Sequence, residues 1–225
     1  MQGVLAVWND VDESVFSEYE AWYLEEHLPE RLHIPGFRTG VRSESVAIGG
    51  VFASPRFFTY YELDSAGVLD NPDYRFALES PSARTRSIMP YFRGMWRAVA
   101  TLQYQGGLAC SAAWVVTVRC PRRLLHFWSD RLRLTPPPGA CRWRLYDCEP
   151  NGAAPSPEVR FRNQPDQTPG CFLLVEYARR SDAQAGLQDW SAAASGAPDH
   201  ADHDDDACRV DVFSELVRLD HRDLV

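Results

Sequence analysis

The chain has 225 residues, with 23 basic and 31 acidic side chains, a net charge of −8 and a hydrophobic share of 45%. This composition is globular, leaves no basic face for general nucleic-acid binding, and contains no apolar run near the ~20 residues of a membrane helix. Every basic residue is arginine, which excludes Schiff-base lysine chemistry and a P-loop lysine.

"GVLAVWND" reads as a first strand, with Trp8 and Asn9 at its end, and no basic secretion-type start precedes it. Ser14 is expected to cap a helix running to about Leu28, because Phe16, Tyr19, Trp22 and Tyr23 recur at helical spacing. Pro29 lacks an N–H, so the helix is expected to end or kink there, leaving His27 beside freed carbonyls. "GFRTGVRSE" and "RFFTYYEL" alternate as strands do. Asn71 and Pro72 open a helix, "SARTRSIMPYF" continues helical, and "WRAVATLQY" is a strand. After "QGGLACS" the order repeats: "AAWVVTVR" as strand, "PRRLLHFWSDRLRL" as helix, "ACRWRLYDC" and "CFLLVEYA" as strands, a helix capped by Ser181, and the strand "CRVDVFSELVRL". The long Pro/Gly/Asn stretch from Glu149 to Gly170 reads as a loop.

Strand–helix–strand–strand–helix–strand, used twice, is the ferredoxin-like order. The expected fold is therefore α+β: tandem ferredoxin-like repeats, 1–107 and 108–225, each with helices on one sheet face. The two bare faces would pack together as a barrel complete within one chain. Pairing of barrels into a homodimer through helices or edges is left open. Six cysteines form no CxxC spacing and are expected as free thiols in a reducing cytoplasm.

Arg38 and Arg42 share a strand parity, and the desolvation cost of a helix-covered arginine directs both to the lumen or to solvent. Tyr60 and Glu62 share a parity on the neighbouring strand, so a lumen holding arginine, tyrosine and glutamate could bind an enolate or carboxylate. An Arg42–Glu62 ion pair without chemistry is the alternative. Trp8 could wall a pocket for a flat ligand or be plain core; Tyr23, Tyr74, Arg93 and Trp96 are further liners. Glu26 and Glu30 flank His27 and read as solvated, His33 as surface, and His126 as packing. "DHADHDDD" (199–206) holds metal-ligand residue types, but a solvated acidic loop is the expectation, so no metal is assigned. GxGxxG, GxSxG, GxxxxGK and HExxH are all absent.

Trp22 and Tyr23, then "EEHLPERL", then "IPGF" leading into an arginine-bearing strand, resemble the EthD-type branch of the dimeric α+β barrel superfamily over residues 3–105. The second half fits by topology alone. The resemblance implies the barrel fold and a small hydrophobic or aromatic ligand. It places a histidine of functional interest at the "HLPE" position, His27. The expected function is cofactor-free acid–base chemistry in the lumen on an aromatic or polyketide-like compound, in secondary metabolism or aromatic catabolism. The reaction could be cyclisation, isomerisation, decarboxylation or oxygenation, with His27 as base, Tyr60 as donor, and Arg38 and Arg42 as anion holders. Trp8, Asn9, Tyr23, Glu62, Tyr74 and Trp96 would bind substrate. The superfamily's haem enzymes, and a non-catalytic binding or stress-response module, are the alternatives. The second half lacks the "HLPE" proline and places Leu132 or Arg131 opposite His27, so one site per chain is expected.

Overall fold

The computed structural model describes residues 1–47, 52–108, 110–149, 157–162, 164–198 and 207–224. The acidic 199–206 stretch lies outside them. Eight strands alternate with helices: β1 (Gly3–Val11), α1 (Phe16–Trp22), a π-helical turn (Tyr23–His27), α2 (Leu28–Leu32), β2 (Phe37–Ser45), β3 (Phe57–Leu63), α3 (Pro72–Glu79), α4 (Ala83–Ile88) and β4 (Phe92–Gly107). There follow β5 (Trp114–Cys120), α5 (Leu125–Leu134), β6 (Ala140–Cys148), α6 (Val159–Arg162), β7 (Cys171–Tyr177), α7 (Arg180–Ser195) and β8 (Arg209–Asp220).

All strand pairings named here are antiparallel and close one barrel in the order β1-β3-β2-β8-β5-β7-β6-β4. Each half contributes the same internal order, β4-β1-β3-β2 and β8-β5-β7-β6, and the halves are stitched at two seams, β2 with β8 and β4 with β6. A barrel of this kind leaves no open sheet edge.

Strand alternation sorts side chains between three cores. Val4, Ala6, Trp8, Phe58, Tyr60, Tyr146, Phe172 and Phe213 fill the lumen. Leu5, Phe57, Tyr61 and Val99 face outward against Tyr19, Trp22, Leu28 and Ile88 of the first-half helices. Val116, Leu173 and Val175 do the same against Trp128, Leu132 and Trp190. A register shift opposite Arg42 and Ser43 lets β8 serve all three cores: Val210 and Val212 join the second-half helix layer, Phe213 points to the lumen, and Val217 and Leu219 join the first-half helix layer.

Three local expectations change. Asp12, not Ser14, caps the first helix: its carboxylate accepts from the Ser14 N–H at 3.0 Å, ahead of a 3-10 turn over Glu13–Val15. Arg180 opens α7, so Ser181 sits inside the first turn and caps nothing. Asn71 does cap α3, accepting from the Asp73 N–H at 2.9 Å. His126 is exposed rather than packed. All six cysteines are free thiols, and among the described residues no helix is long and apolar enough to cross a membrane.

Candidate active site

The first helix does not stop at Pro29. The chain stays helical from Phe16 to Leu32 by inserting the π turn, in which the Leu28 N–H donates to the Tyr23 carbonyl, one residue further back than an α-helix would place it. The wider turn absorbs the register fault that a proline without an N–H would otherwise cause. It also points both of its ring-bearing residues, Tyr23 and His27, toward the sheet.

Beneath that turn lies a cavity of about 40 Å³ between β-sheet and helices. Tyr23, His27, Arg31, Tyr61, Tyr74 and Arg97 line it, over an apolar floor that includes Leu5, Phe92 and Met95. His27 stacks on Trp22 with ring centroids 4.3 Å apart and meets Tyr23 edge-on at 5.1 Å. The Trp22 N–H in turn donates to Thr85 Oγ1 at 3.0 Å, which fixes the stacking platform to α4. His27 keeps some residual exposure, but its Nδ1 is fully buried and has no hydrogen-bond partner. Burial, then the charges of Arg31 and Arg42, hold its pKa well below the ordinary histidine value. A neutral imidazole with a buried, unbonded nitrogen thus lines the cavity.

Two more polar groups are poised there. The Tyr61 hydroxyl is buried beside Tyr23 without a well-formed hydrogen bond, and burial first, then Tyr23, pushes its pKa well up, so it remains a donor. Arg31 is 3% exposed; its Nη2 donates to Glu158 Oε1 at 2.9 Å, while Nη1 makes no hydrogen bond. Arg97 donates to the Tyr74 hydroxyl at 3.3 Å. Glu158 and Arg162 come from the segment between β6 and β7, so the second half closes a site built mainly by the first.

The structure divides the expected site residues. His27, Tyr23 and Tyr74 come together at this cavity. Tyr60 and Glu62 do point into the lumen, but the sheet separates them from His27. There Glu62 accepts from Arg144 at 2.5 Å and from Arg142 at 3.5 Å, and Arg144 also pairs with Glu176 at 3.0 Å. The Tyr60 hydroxyl accepts from Arg144 and Arg218, each at 3.4 Å. Arg42 is on neither the lumen face nor the surface: it lies fully buried under α1, its guanidinium 3.9 Å from the Tyr23 ring centroid, 4.4 Å from Phe57 and 4.7 Å from Tyr19, and paired with Glu20. Three aromatic faces and a carboxylate offset the desolvation that was expected to exclude it. Arg38 is exposed and paired with Asp64 at 2.5 Å, remote from His27. Asn9 is buried and donates to Tyr19 at 2.9 Å, which makes it a helix anchor rather than a ligand contact. Trp8 is lumen core, donating to Thr117 at 3.2 Å, and Trp96 borders a different cavity. Arg93 is exposed beside Asp12. Glu26 is tied to Ser82 and Thr85, with 3.2 Å to the latter.

Tyr61, Arg97, Glu158 and Arg31 line the cavity without having been singled out in the sequence. β3 carries aromatics on both faces, so alternation gave no contrast by which to prefer Tyr61 over Tyr60. Glu158 sits in a stretch that reads as loop.

No family model matches the chain, and no curated protein matches it. Among solved structures it resembles an anthrone oxidase-like protein, with TM-score 0.61 and 10% identity over 100% of this chain and 94% of that one. It also resembles a monooxygenase candidate from Lactobacillus acidophilus NCFM, with TM-score 0.52 and 10% identity over 98% and 96% of the two chains. A monooxygenase candidate from Fusobacterium nucleatum gives TM-score 0.52 and 10% identity over 97% and 96%. At these identities the likeness establishes the α+β barrel fold within one chain.

Proposed function

We propose that the chain is a small-molecule oxygenase-like enzyme that works by cofactor-free acid–base chemistry in the cavity beneath the π turn. The observation that carries this reading is the buried, unbonded Nδ1 of His27 in an aromatic-walled cavity shared with Arg31 and Tyr61. A neutral imidazole is in its base form at neutral pH, and such a positioned base contributes about 10²–10⁴-fold. The substrate would be an aromatic compound with an enolisable ketone or phenolic group. His27 takes the C–H or O–H proton; Arg31 Nη1 and the Tyr61 hydroxyl hold the oxygen on which charge collects. The electron-rich anion then reacts with dioxygen. For a methylene substrate, two hydrogens leave and one oxygen atom enters as a carbonyl, with the second oxygen atom released as water.

The cavity holds about 40 Å³, which is room for a water and little more, so an aromatic substrate must displace side chains. Met89 and Met95, unbranched and adaptable, line it and are the side chains to move. The EthD-type resemblance supports the same place, because Trp22, Tyr23, His27 and Arg31 of the resembling stretch gather there. The repeated internal strand order supports a reading as tandem ferredoxin-like halves with one site per chain: in the second half Leu132 is buried in packed core with Trp128 and Trp190. A reducing, cytoplasmic setting fits six free thiols. Haem, much larger than the proposed substrate, would need a greater displacement of side chains at the same 40 Å³ cavity, which favours the cofactor-free reading.

Oxygen uptake with anthrone and related enolisable aromatics tests the reading. Wild-type protein is expected to consume oxygen with quinone formation, and His27→Ala to be slower by about 10²–10⁴-fold. Equal turnover by His27→Ala removes the histidine from the mechanism.

A further inference from the structure

A second cavity, of about 340 Å³, opens at the far end of the lumen from Tyr60, where β5 finishes and β7 and β8 begin. That volume falls in the range of small-ligand pockets. Trp96, Pro121 and Pro169 give it flat apolar walls, and Arg119, Arg122, Arg123 and Arg209 give it positive charge.

Arg119 is the informative residue. It points inward from β5 and is 2% exposed. Its Nη2 donates to Asp211 at 2.8 Å, but Nε and Nη1 are buried with no acceptor. Burial lowers its pKa more than Asp211 restores it. A guanidinium withdrawn from water with two nitrogens unpaired is costly unless something else supplies acceptors. Arg209, across from it on β8, is exposed and has no ion pair among the described residues; it lies 5.6 Å from the Trp96 ring centroid, with Arg119 at 4.8 Å from the same ring. Arg122 is already committed to Asp147 at 2.8 Å. Among the described residues, the acids near Arg119 are Asp211 and, more remotely, Asp10.

We propose that this cavity binds a small organic carboxylate, with its anionic head between Arg119 and Arg209 and its body against Trp96 and the two prolines. Phosphate sites are commonly cradled by backbone amides. Here the Gly170 N–H is spent on the Cys120 carbonyl at 2.9 Å, and the charged donors on the lining are guanidinium groups beside apolar walls. The site is separate from the His27 cavity and does not depend on its chemistry.

Isothermal titration of the intact chain with benzoate, benzyl alcohol and inorganic phosphate at constant ionic strength is the test. Benzoate is expected to bind one per chain and to quench tryptophan fluorescence, with the quench reduced in Trp96→Phe. Arg209→Ala should weaken binding by about tenfold or more, the loss of one charge-assisted contact, and Arg119→Met should abolish it. Should Arg119→Met not fold, the exposed Arg209→Ala carries the test. No saturable benzoate binding at millimolar concentrations, equal affinity for benzyl alcohol, tighter binding of phosphate than of benzoate, or indifference to Arg209→Ala would each overturn the proposal.

Discussion

His27 concentrates the consequences at the residue scale. Its folded-state pKa is depressed by burial, so the unfolded chain binds a proton that the native chain refuses. The contribution of this group is therefore fully present above the unfolded value of about 6.5 and is lost as pH falls below it, at up to about 1.4 kcal/mol per pH unit until the folded pKa is reached. Urea unfolding at pH 7.5 and pH 5.5 should show the wild type losing about 1 kcal/mol more than His27→Gln over that interval. Parallel losses would mean that the imidazole is protonated as readily in the native state as in the unfolded chain. The residue itself stood out in the sequence, as an imidazole two residues before a proline and near large aromatics. Arg42 did not, because nothing local marks the offset to its desolvation: Tyr19 and Tyr23 of the helix and Phe57 of β3 present ring faces that only folding brings around one guanidinium.

The π turn is the device that makes the site at the element scale. Pro29 is expected to end or kink the helix, and the chain keeps its helical path to Leu32 by lengthening one hydrogen-bonded turn. Proline chemistry alone could not distinguish a stop from a π insertion, since that choice depends on what α2 packs against. It packs closely on β2 at Gly40, where an added Cβ would sit 2.7 Å from Leu28 Cδ1 and 3.2 Å from the Tyr61 ring. Alanine normally improves on glycine within a strand. Here Gly40→Ala is expected to destabilise by about 1–3 kcal/mol through overpacking and to lower turnover, because both displaced side chains border the π turn or the cavity. Urea midpoints and oxygen uptake check the two effects; a stabilised, fully active variant would show that the close approach is dispensable.

The barrel is a single closed object at the scale of the whole molecule, and its order of elements was readable from alternation and turn residues alone. The seams β2–β8 and β4–β6 pair residues far apart in sequence, and all three cores share strands. Neither half can hide its lumen face without the other, so unfolding is expected as one transition. Tryptophan fluorescence and far-UV circular dichroism should give coincident denaturation curves; two resolved steps would mean that the halves are stable on their own. What the element order could not reveal was which side of the sheet holds the proposed site. The lumen was the obvious hollow, yet Trp8, Phe58, Tyr146 and Phe172 fill its middle; a cavity of about 340 Å³ remains at one end of it, and the 40 Å³ cavity of the proposed chemistry lies under the helix.

The account stands or falls on that location. A crystal structure of the chain soaked with a water-soluble hydroxyanthraquinone, as a product-like aromatic, measures it directly. The expected density lies between the sheet and the π turn, with an oxygen of the ligand within hydrogen-bond reach of His27 Nδ1 or the Tyr61 hydroxyl and with Met89 and Met95 displaced. Density in the barrel lumen beside Tyr60 and Arg144, with the His27 cavity unchanged, would contradict it.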